Sequence, residues 1–425
     1  MKPQSLVQGD ALSFETHILS HQKEVEGWFR EAWHRHEPPF YASVDIRVAG
    51  FKVAPVDTNL FPGGFNNLSP THLALCVQAA EGLIEKYCPS AKRLLLIPES
   101  HTRNKFYLEN VLVLKGIFEK AGLEVRLGTL MPVEKPFSLI LDGKALLLEP
   151  LSRRANRLGV EGFDPCLVLL NNDLAGGIPD ILRGIEQALL PPLHLGWATR
   201  RKSLHFDCYS KVAEAFCRDF SLDPWLLVPD TKRCGGVDFL RQEGLANVAS
   251  TAEEILARMR EKYRTYGIES PPFVVVKANA GTYGMGVMTV KSAEELYHLN
   301  RKQRNKMAVV KEGVEVHEVL VQEGVPTMER VDGAVAEPVV YLMDRHVVGG
   351  FYRVHTQKGP DENLNAPGMH FIPLPFETAC ILPDPEKGVD YPPNRFYAYG
   401  VVARLACLAS SLESEEMLIE NEACL

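Results

Sequence analysis

Lys277 closes an apolar run, Phe273 to Val276. Glycines follow at Gly281, Gly284 and Gly286, and a second apolar run, Val287 to Val290, comes after them. Short β-branched runs of this kind read as buried strands. In a Walker-type phosphate loop the glycines feed a helix and the lysine comes last. Here the lysine comes first and the glycines lie in a hairpin between two strands. Glycine lets a backbone approach a ligand closely and turn its N–H groups toward an anion. Such a hairpin can fold over a triphosphate, with Lys277 as a fixed positive charge beneath it. An ordinary glycine-rich hairpin with a solvated lysine is the plain alternative.

The stretch downstream favours the first reading. Val319 to Gln322 is a strand that runs into the polar hinge Glu323-Gly324-Val325, where backbone groups can face an adenine edge. Ala334 to Asp344, carrying Glu337, and His346 to His355, carrying Arg353, read as a hairpin of two strands, followed by the loop Glu362 to Gly368 with Asn363 and Asn365. The order of lysine strand, glycine hairpin, hinge strand, carboxylate strand, arginine strand and asparagine loop resembles the ATP-grasp superfamily over roughly Pro271 to His370. The resemblance implies ATP at Lys277, Gly281, Gly284, Gly286, Gln322, Glu323 and Val325. It implies catalytic roles for Lys277 and Arg353, and Mg²⁺ held by Glu337, Glu362, Asn363 and Asn365. One departure stands out: the superfamily's late Glu-x-Asn triplet is missing after His370, and Glu420-Asn421-Glu422 lies in the tail.

Three polar clusters mark the N-terminal half. Ser43 to Ser69 sets Asp45 and Arg47 on a strand, then Lys52, Asp57 and Asn59, then a Phe61-Pro62-Gly63-Gly64-Phe65 turn with Asn66 and Asn67. Strands avoid Asp and Asn unless they have a task, and charges, amides and aromatics around a Gly-Pro turn suit a polar ligand pocket. The second cluster, Glu99 to Asn104 with His101, Arg103 and Asn104, follows the apolar strand Arg93 to Pro98. The third, Asn171-Asn172-Asp173, follows the strand Cys166 to Leu170. Strand, loop, helix (Lys105 to Ala121) and strand (Glu124 to Gly128) in sequence imply a parallel α/β sheet, whose carboxyl ends gather ligands. Helix capping by Asn104 is the bland alternative. Arg200, Arg201 and Lys202 in a row suggest an anionic ligand.

The elements around these clusters are regular. Helices are expected at His17 to Arg35, at Ser69 to Tyr87 with Ser69 as N-cap and Pro70 first, at Ser210 to Phe220, at Thr251 to Tyr266 and at Arg395 to Leu412, with an acidic tail after the last. Gly176 to Pro179 should open a further helix, and Ser138 to Glu149 should be a hairpin turning at Asp142-Gly143. A junction near residue 205 divides the chain into 1–205 and 206–425. The 425 residues suffice for two or three domains. The net charge of −8 offers no basic run for nucleic acid, and no apolar stretch approaches membrane-spanning length. Nine cysteines without a CxxC pair argue against a zinc site and a disulfide framework, which suits a reducing cytoplasm. The oligomeric state stays open, a homo-oligomer among the options.

Three N-terminal motifs, DIRVAGFKVAPVDTNLFPGGFNN, IPESHTRN and GWATRRKS, resemble one family across nearly the whole chain: the proteobacterial glutamate–cysteine ligase with an ATP-grasp-like catalytic half. The resemblance implies an α/β fold, an N-terminal parallel α/β (pre-ATP-grasp-like) domain followed by an ATP-grasp-like α+β domain. The implied reaction is the first step of glutathione biosynthesis: ATP, L-glutamate and L-cysteine give γ-glutamylcysteine, ADP and phosphate. The substrate residues expected are Asp45, Arg47, Lys52, Asp57, Asn59, Asn66, His101, Arg103, Asn104, Asn172, Arg200 and Arg201. A glutathione-synthetase-like ligase and a nucleotide-binding regulator without catalysis are the other readings.

Overall fold

The computed structural model describes residues 10–100, 103–281, 285–374 and 395–423. His101 and Gly284 lie outside them. Three large sheets organise the described chain. The first is the expected parallel sheet. Its order is Ala188–Leu190, Leu167–Asn171, Arg93–Pro98, Glu124–Thr129, Lys144–Pro150, all parallel, with Phe137–Leu141 antiparallel at the edge. Its strands are nearly continuous apolar runs because both faces are covered. The edge hairpin turns at Asp142 and Gly143, both at positive φ (48° and 79°), as a tight hairpin turn requires. Helix Lys105–Lys120 buries its apolar stripe against this sheet, and Pro70–Tyr87 packs beside it and against the strand His346–His355. Ser69 accepts the first-turn N–H of His72, and Pro70 takes the first helical position.

The second sheet has four antiparallel strands in the order Thr231–Gly235, Glu318–Glu323, Val274–Ala278, Val287–Val290. The third holds the Ala334–Met343 and His346–His355 hairpin at its centre. It also takes in Tyr41–Val48 and Val53–Asn59 from the N-terminal half: Tyr41–Val48 pairs antiparallel with Ala334–Met343, from Tyr41 opposite Met343 to Asp45 opposite Val339. A division at residue 205 separates the parallel sheet from the four-stranded one but cuts through this third sheet.

Five helical expectations need correcting. The stretch His17 to Arg35 falls into two helices, Asp10–Ser20 and Gln22–Arg35, and Thr251 to Tyr266 belongs to a helix that starts at Leu245. Helix Lys202–Asp219 starts eight residues before Ser210; its first turns carry buried Lys202 and His205, which hide the amphipathic pattern. After Gly176–Pro179 only a single turn, Asp180–Leu182, forms. The closing helix runs Arg395–Ala423, well past Leu412. Its acidic residues are ion-pair partners: Glu413 meets Arg200 and His205, Glu415 meets His36, and Glu416 meets Lys211. The helix packs its residues 397–409 into the main core, against Lys202–Asp219 and the third sheet.

Arg200 is 1% exposed. Its Nε and Nη2 donate to the Glu413 carboxylate at 2.8 and 3.0 Å and its Nη1 to the Thr58 carbonyl at 2.7 Å. It therefore joins the closing helix to the third sheet and is sealed from solvent. Removing one partner of a buried ion pair leaves the other charge unpaired and costs about 3–5 kcal/mol. Glu413→Ala should therefore lower unfolding stability by about that amount in denaturant titration, while Arg201→Ala, which removes only contacts to nearby carbonyls, should change it by less than about 0.5 kcal/mol.

Candidate functional site

Two cavities meet at one wall. The first is a narrow cleft of 110 Å³ between the four-stranded sheet and the third sheet. Val275, Lys277, Val287, Thr289 and Gln322 line one side, and Asp45, Arg47, Asp57, Glu337 and Arg353 the other. The second, of 570 Å³, lies under the Phe61–Asn67 turn, with Tyr341, Phe351 and Tyr107 as aromatic walls. Asp45, Asp57, Arg353 and Asn365 line both.

At the junction four charges, three buried and the fourth, Asp45, half-buried, alternate in sign across three neighbouring strands. Arg47 Nε donates to Glu337 Oε2 at 2.7 Å. Glu337 Oε1 accepts from Arg353 Nη1 at 2.6 Å, and Arg353 Nη1 also donates to Asp45 Oδ2 at 2.9 Å. Glu337 and Arg353 stand opposite each other in the hairpin register, and Asp45 and Arg47 share a face two residues apart on the next strand. Burial alone would raise the Glu337 carboxyl, but Arg47 and Arg353 outweigh it and hold it below its usual range. Burial pushes the Asp45 carboxyl up despite Arg353. Arg353 Nε is buried without a partner among the described residues.

Lys277 comes from the opposing sheet. Its ammonium donates to the Val56 carbonyl at 2.6 Å and to Gln322 Oε1 at 2.7 Å, and lies 4.7 Å from the centre of the Phe206 ring. Burial lowers its pKa to about 7, a shift that Asp57 opposes and Lys202 reinforces. Because Gln322 Oε1 is taken by Lys277, its amide can only donate, and Nε2 is a buried donor with no partner among the described residues. Asp57 is held well below its usual range: burial would raise it, but Lys202, at 2.5 Å, and Lys277 override that.

The structure sorts the sequence candidates. Lys277, Gln322, Glu323, Val325, Glu337, Arg353, Glu362, Asn363 and Asn365 all line the cleft. Asp45 and Asp57 line both cavities, and Asn59, Asn66 and Asn104 line the larger one. Asn104 is also the N-cap of Lys105–Lys120. Arg47 lines the cleft only; its guanidinium is fixed by Glu337 and by the Pro360 and Glu362 carbonyls. Lys52 is not a substrate contact. It is sealed behind the cleft at 2.8 Å from Glu323 and over the Trp225 ring. Arg103 is exposed and lines neither cavity. Asn172 accepts the Leu174 N–H in a turn, and its neighbour Asp173 lines the larger cavity instead. Arg200 and Arg201 bind protein groups.

The hinge and the glycines also differ from expectation. The N–H groups of Glu323 and Gly324 donate to the Asp230 and Phe273 carbonyls, while the Gln322 amide and Val325 line the cleft beside them. Gly281 and Gly286 have φ of 99° and 60° and pack on Val310 instead of lining the cleft. Tyr341 and Phe351 were missed, and Asp173 was named only as a member of the third polar cluster. On alternating strands Tyr341 and Phe351 look like core, and the only signal for Asp173 was its place at a strand end. The turn Phe61–Phe65 does shape the larger cavity. Gly64 has φ of 98°, and an added Cβ would lie 2.7 Å from the Tyr341 hydroxyl, which donates to the Gly63 carbonyl.

Mg²⁺ takes hard oxygen ligands and needs only one or two carboxylates beside phosphate oxygens. The donor chemistry of the cleft fits such an ion. Glu337 does not: both its oxygens face guanidinium groups that would repel a divalent cation. The Asn363 oxygen accepts the Asn365 N–H. Glu362, held only by Lys358 and the Gly359 N–H, and Asn365 are the remaining fit. Among the described residues no three His, Cys, Asp or Glu side chains form a metal cluster.

The sequence profile of the family glutamate-cysteine ligase (GshA) matches residues 15–414, so the chain belongs to that family. It is a ligase that joins glutamate to cysteine. A crystal structure from Methylobacillus flagellatus KT, provisionally assigned as a gamma-glutamylcysteine synthetase, is similar at 59% identity and a TM-score of 0.88, covering 98% of each chain. The apo form of a glutathione synthetase-like effector (GSS30) from Globodera pallida aligns over 81% of this chain and 76% of its own, at 11% identity and a TM-score of 0.40, and carries no argument. No curated protein matches the chain.

Lys277 offers a test of the cleft. A lysine whose folded pKa lies below its unfolded value costs stability below about pH 7, and the cost fades as pH rises toward the unfolded pKa. Phosphates beside it would favour the charged form. At pH 8, ATP binding should therefore take up close to one proton, seen as a calorimetric heat that varies with the buffer's ionisation enthalpy. Lys277→Met should remove that proton uptake and weaken ATP binding by about ten- to a hundredfold. Equal uptake in the mutant would place Lys277 away from the phosphates.

Proposed function

We propose that the narrow cleft takes ATP, that the larger cavity takes the amino acids, and that glutamate is activated at their junction. The carrying observation is the shared wall: Arg353 and Asp45 line both cavities. A carboxylate is a poor electrophile with a poor leaving group. Transfer of the γ-phosphoryl of ATP to the glutamate side-chain carboxylate forms a phosphorus–oxygen bond and breaks the bond to ADP. The cysteine amine then attacks the acyl carbon, the carbon–oxygen bond breaks, phosphate leaves, and the amine gives up a proton.

Phosphoryl transfer is mostly a matter of positioning and charge neutralisation. Lys277 supplies a cation from the four-stranded sheet and Arg353 one from the third sheet, with its unpartnered Nε as a donor in reserve. Gln322 Nε2 supplies a donor for the nucleotide, and Phe273, Val275, Val287 and Val325 an apolar lining for its base. Mg²⁺, held by Glu362 and Asn365, would neutralise phosphate charge. At 110 Å³ the cleft is smaller than ordinary ligand pockets, roughly 300–1,000 Å³, so the two sheets have to part for a nucleotide to enter. A cytoplasmic setting agrees with the free state of the seven described cysteines. No described helix is long and apolar enough to cross a membrane.

ADP release measured with amino acids singly and in pairs tests this reading. Glutamate with cysteine should be the best pair by at least about tenfold, and release that ignores cysteine would overturn it. Arg353→Lys keeps the charge but loses the planar, two-pronged geometry. It should lower kcat by about a hundredfold while the KM for ATP stays within about threefold.

A further inference from the structure

A third cavity, of 690 Å³, opens beside the cleft, between the edge strand Val287–Val290, helix Arg301–Ala308 and residues 358–367. It shares Val287, Thr289, Glu362 and Asn363 with the cleft, and Asn365 lines all three cavities. Among the described residues that line it, the charged ones are Lys306, Lys358 and Glu362. Lys358 Nζ donates to Glu362 Oε1 at 2.8 Å, and Glu362 Oε2 accepts the Gly359 N–H at 2.7 Å. No described carboxylate pairs with Lys306. Lys306 is exposed as a residue, yet partial burial of its ammonium and the charge of Lys358 both lower its pKa. The neutral groups lean the same way. Gln303 Oε1 accepts the Asn300 N–H and Asn363 Oδ1 the Asn365 N–H, both at 2.9 Å, so each amide has its nitrogen left to donate.

Cations and spare donors call for an oxyanion. The inference about which one rests on the reaction proposed above. There the nucleotide takes the cleft and the amino acids the larger cavity, which leaves the third without an occupant. The reaction also turns the γ-phosphoryl group of ATP into free phosphate close to where the cavities meet. We propose that the third cavity seats a phosphate group, with Lys306 and Lys358 as its cations and the Gln303 and Asn363 amides as its neutral donors. The group is the outer end of the bound nucleotide or the ion set free when cysteine attacks; the chemistry is the same tetrahedral oxyanion. Two ammoniums near each other repel, and a phosphate beside both turns that repulsion into attraction. Glu362 and Asn365, which fit Mg²⁺, stand on the wall shared with the cleft, so a phosphate seated here lies beside the ligands of the metal. The whole chain carries a charge of −8, so an anion that enters or leaves needs local positive charge along its way.

The test uses Lys306→Gln in the full chain. Lys302→Gln is the control: it removes the same charge from the same helix, at a residue that does not line the cavity. Lys306 is exposed and holds no carboxylate, so its loss leaves the fold intact. Lys358→Gln would also free Glu362, so Lys306 carries the test. Dissociation constants are measured for ATP, for inorganic phosphate and for adenosine, which has no phosphate. Lys306→Gln should weaken ATP, inorganic phosphate or both by about tenfold, while adenosine stays within about twofold and Lys302→Gln stays near the wild type. Weakening of ATP alone assigns the seat to the bound nucleotide, of phosphate alone to the released ion, and of both to the group before and after transfer. The proposal is overturned if neither constant moves. It is overturned too if adenosine weakens alongside ATP, which marks a disturbed cleft, or if Lys302→Gln acts as strongly, which marks a diffuse field and no seat. These are equilibrium constants, so a wild type that releases no ADP with glutamate and cysteine overturns the reaction separately.

Discussion

The alternating row Arg47, Glu337, Arg353, Asp45 constrains the rest of the molecule. Arg47, Glu337 and Arg353 are buried and Asp45 half-buried, and an unpaired charge in the interior costs several kcal/mol. Alternation gives every charge an opposite neighbour, but only in one register. A one-residue slip of any of the three strands would turn its charges to the opposite face, into the apolar core. Two of the residues come from Tyr41–Val48 and two from the hairpin some three hundred residues later. The row therefore forces the N-terminal hairpin into the third sheet and fixes where the two cavities touch.

The cleft is closed from the other side by the same kind of reasoning. Lys277 reaches across from the four-stranded sheet to the Val56 carbonyl, so the lysine ties the two sheets together. Around the junction Arg47 and Arg353 face Glu337 and Asp45, and Lys202 pairs with Asp57. Lys277, its pKa lowered by burial to about 7, is the group whose charge an incoming phosphate would favour. A polyphosphate brings negative charge that Lys277 can meet only by leaving its neutral partners, which couples nucleotide entry to the parting of the sheets.

Much of this was legible in the sequence, and the failures share one cause. Strand-Lys277, the hinge, Glu337 opposite Arg353 and the parallel sheet follow from local pattern: period, turn residues and strand ends. Lys52 and Arg200 were read as ligand contacts because charged residues on strands and in loops advertise a task. Their task is to pair with Glu323 and Glu413, which lie 271 and 213 residues away. Residue type announces that a buried charge needs a partner; only the fold says whether the partner is protein or substrate. The acidic tail misled in the same way, since Glu413 to Glu416 look solvated until helix Lys202–Asp219 and His36 are set beside them.

The buried polar atoms draw the line between scaffold and site. Lys52, Arg200 and Lys311 each sit within 2.8 Å of a carboxylate and stand behind the cavity walls. Their carboxylate partners already meet the demand that a buried charge be compensated. Gln322 Nε2, Arg353 Nε and Asn66 Oδ1 are different: each is buried, each belongs to a residue lining a cavity, and none has a partner among the described residues. Thr58 Oγ1 and His205 Nε2 are also without partners but line neither cavity, so an orphan atom alone does not mark a site. An orphan atom on a cavity wall does, because a ligand can supply the bond that the protein withholds. Two of the three are donors, at the cleft and the junction, where phosphate and carboxylate oxygens are expected. The third is an acceptor on the wall of the larger cavity, where the ammonium of an amino acid can supply the hydrogen.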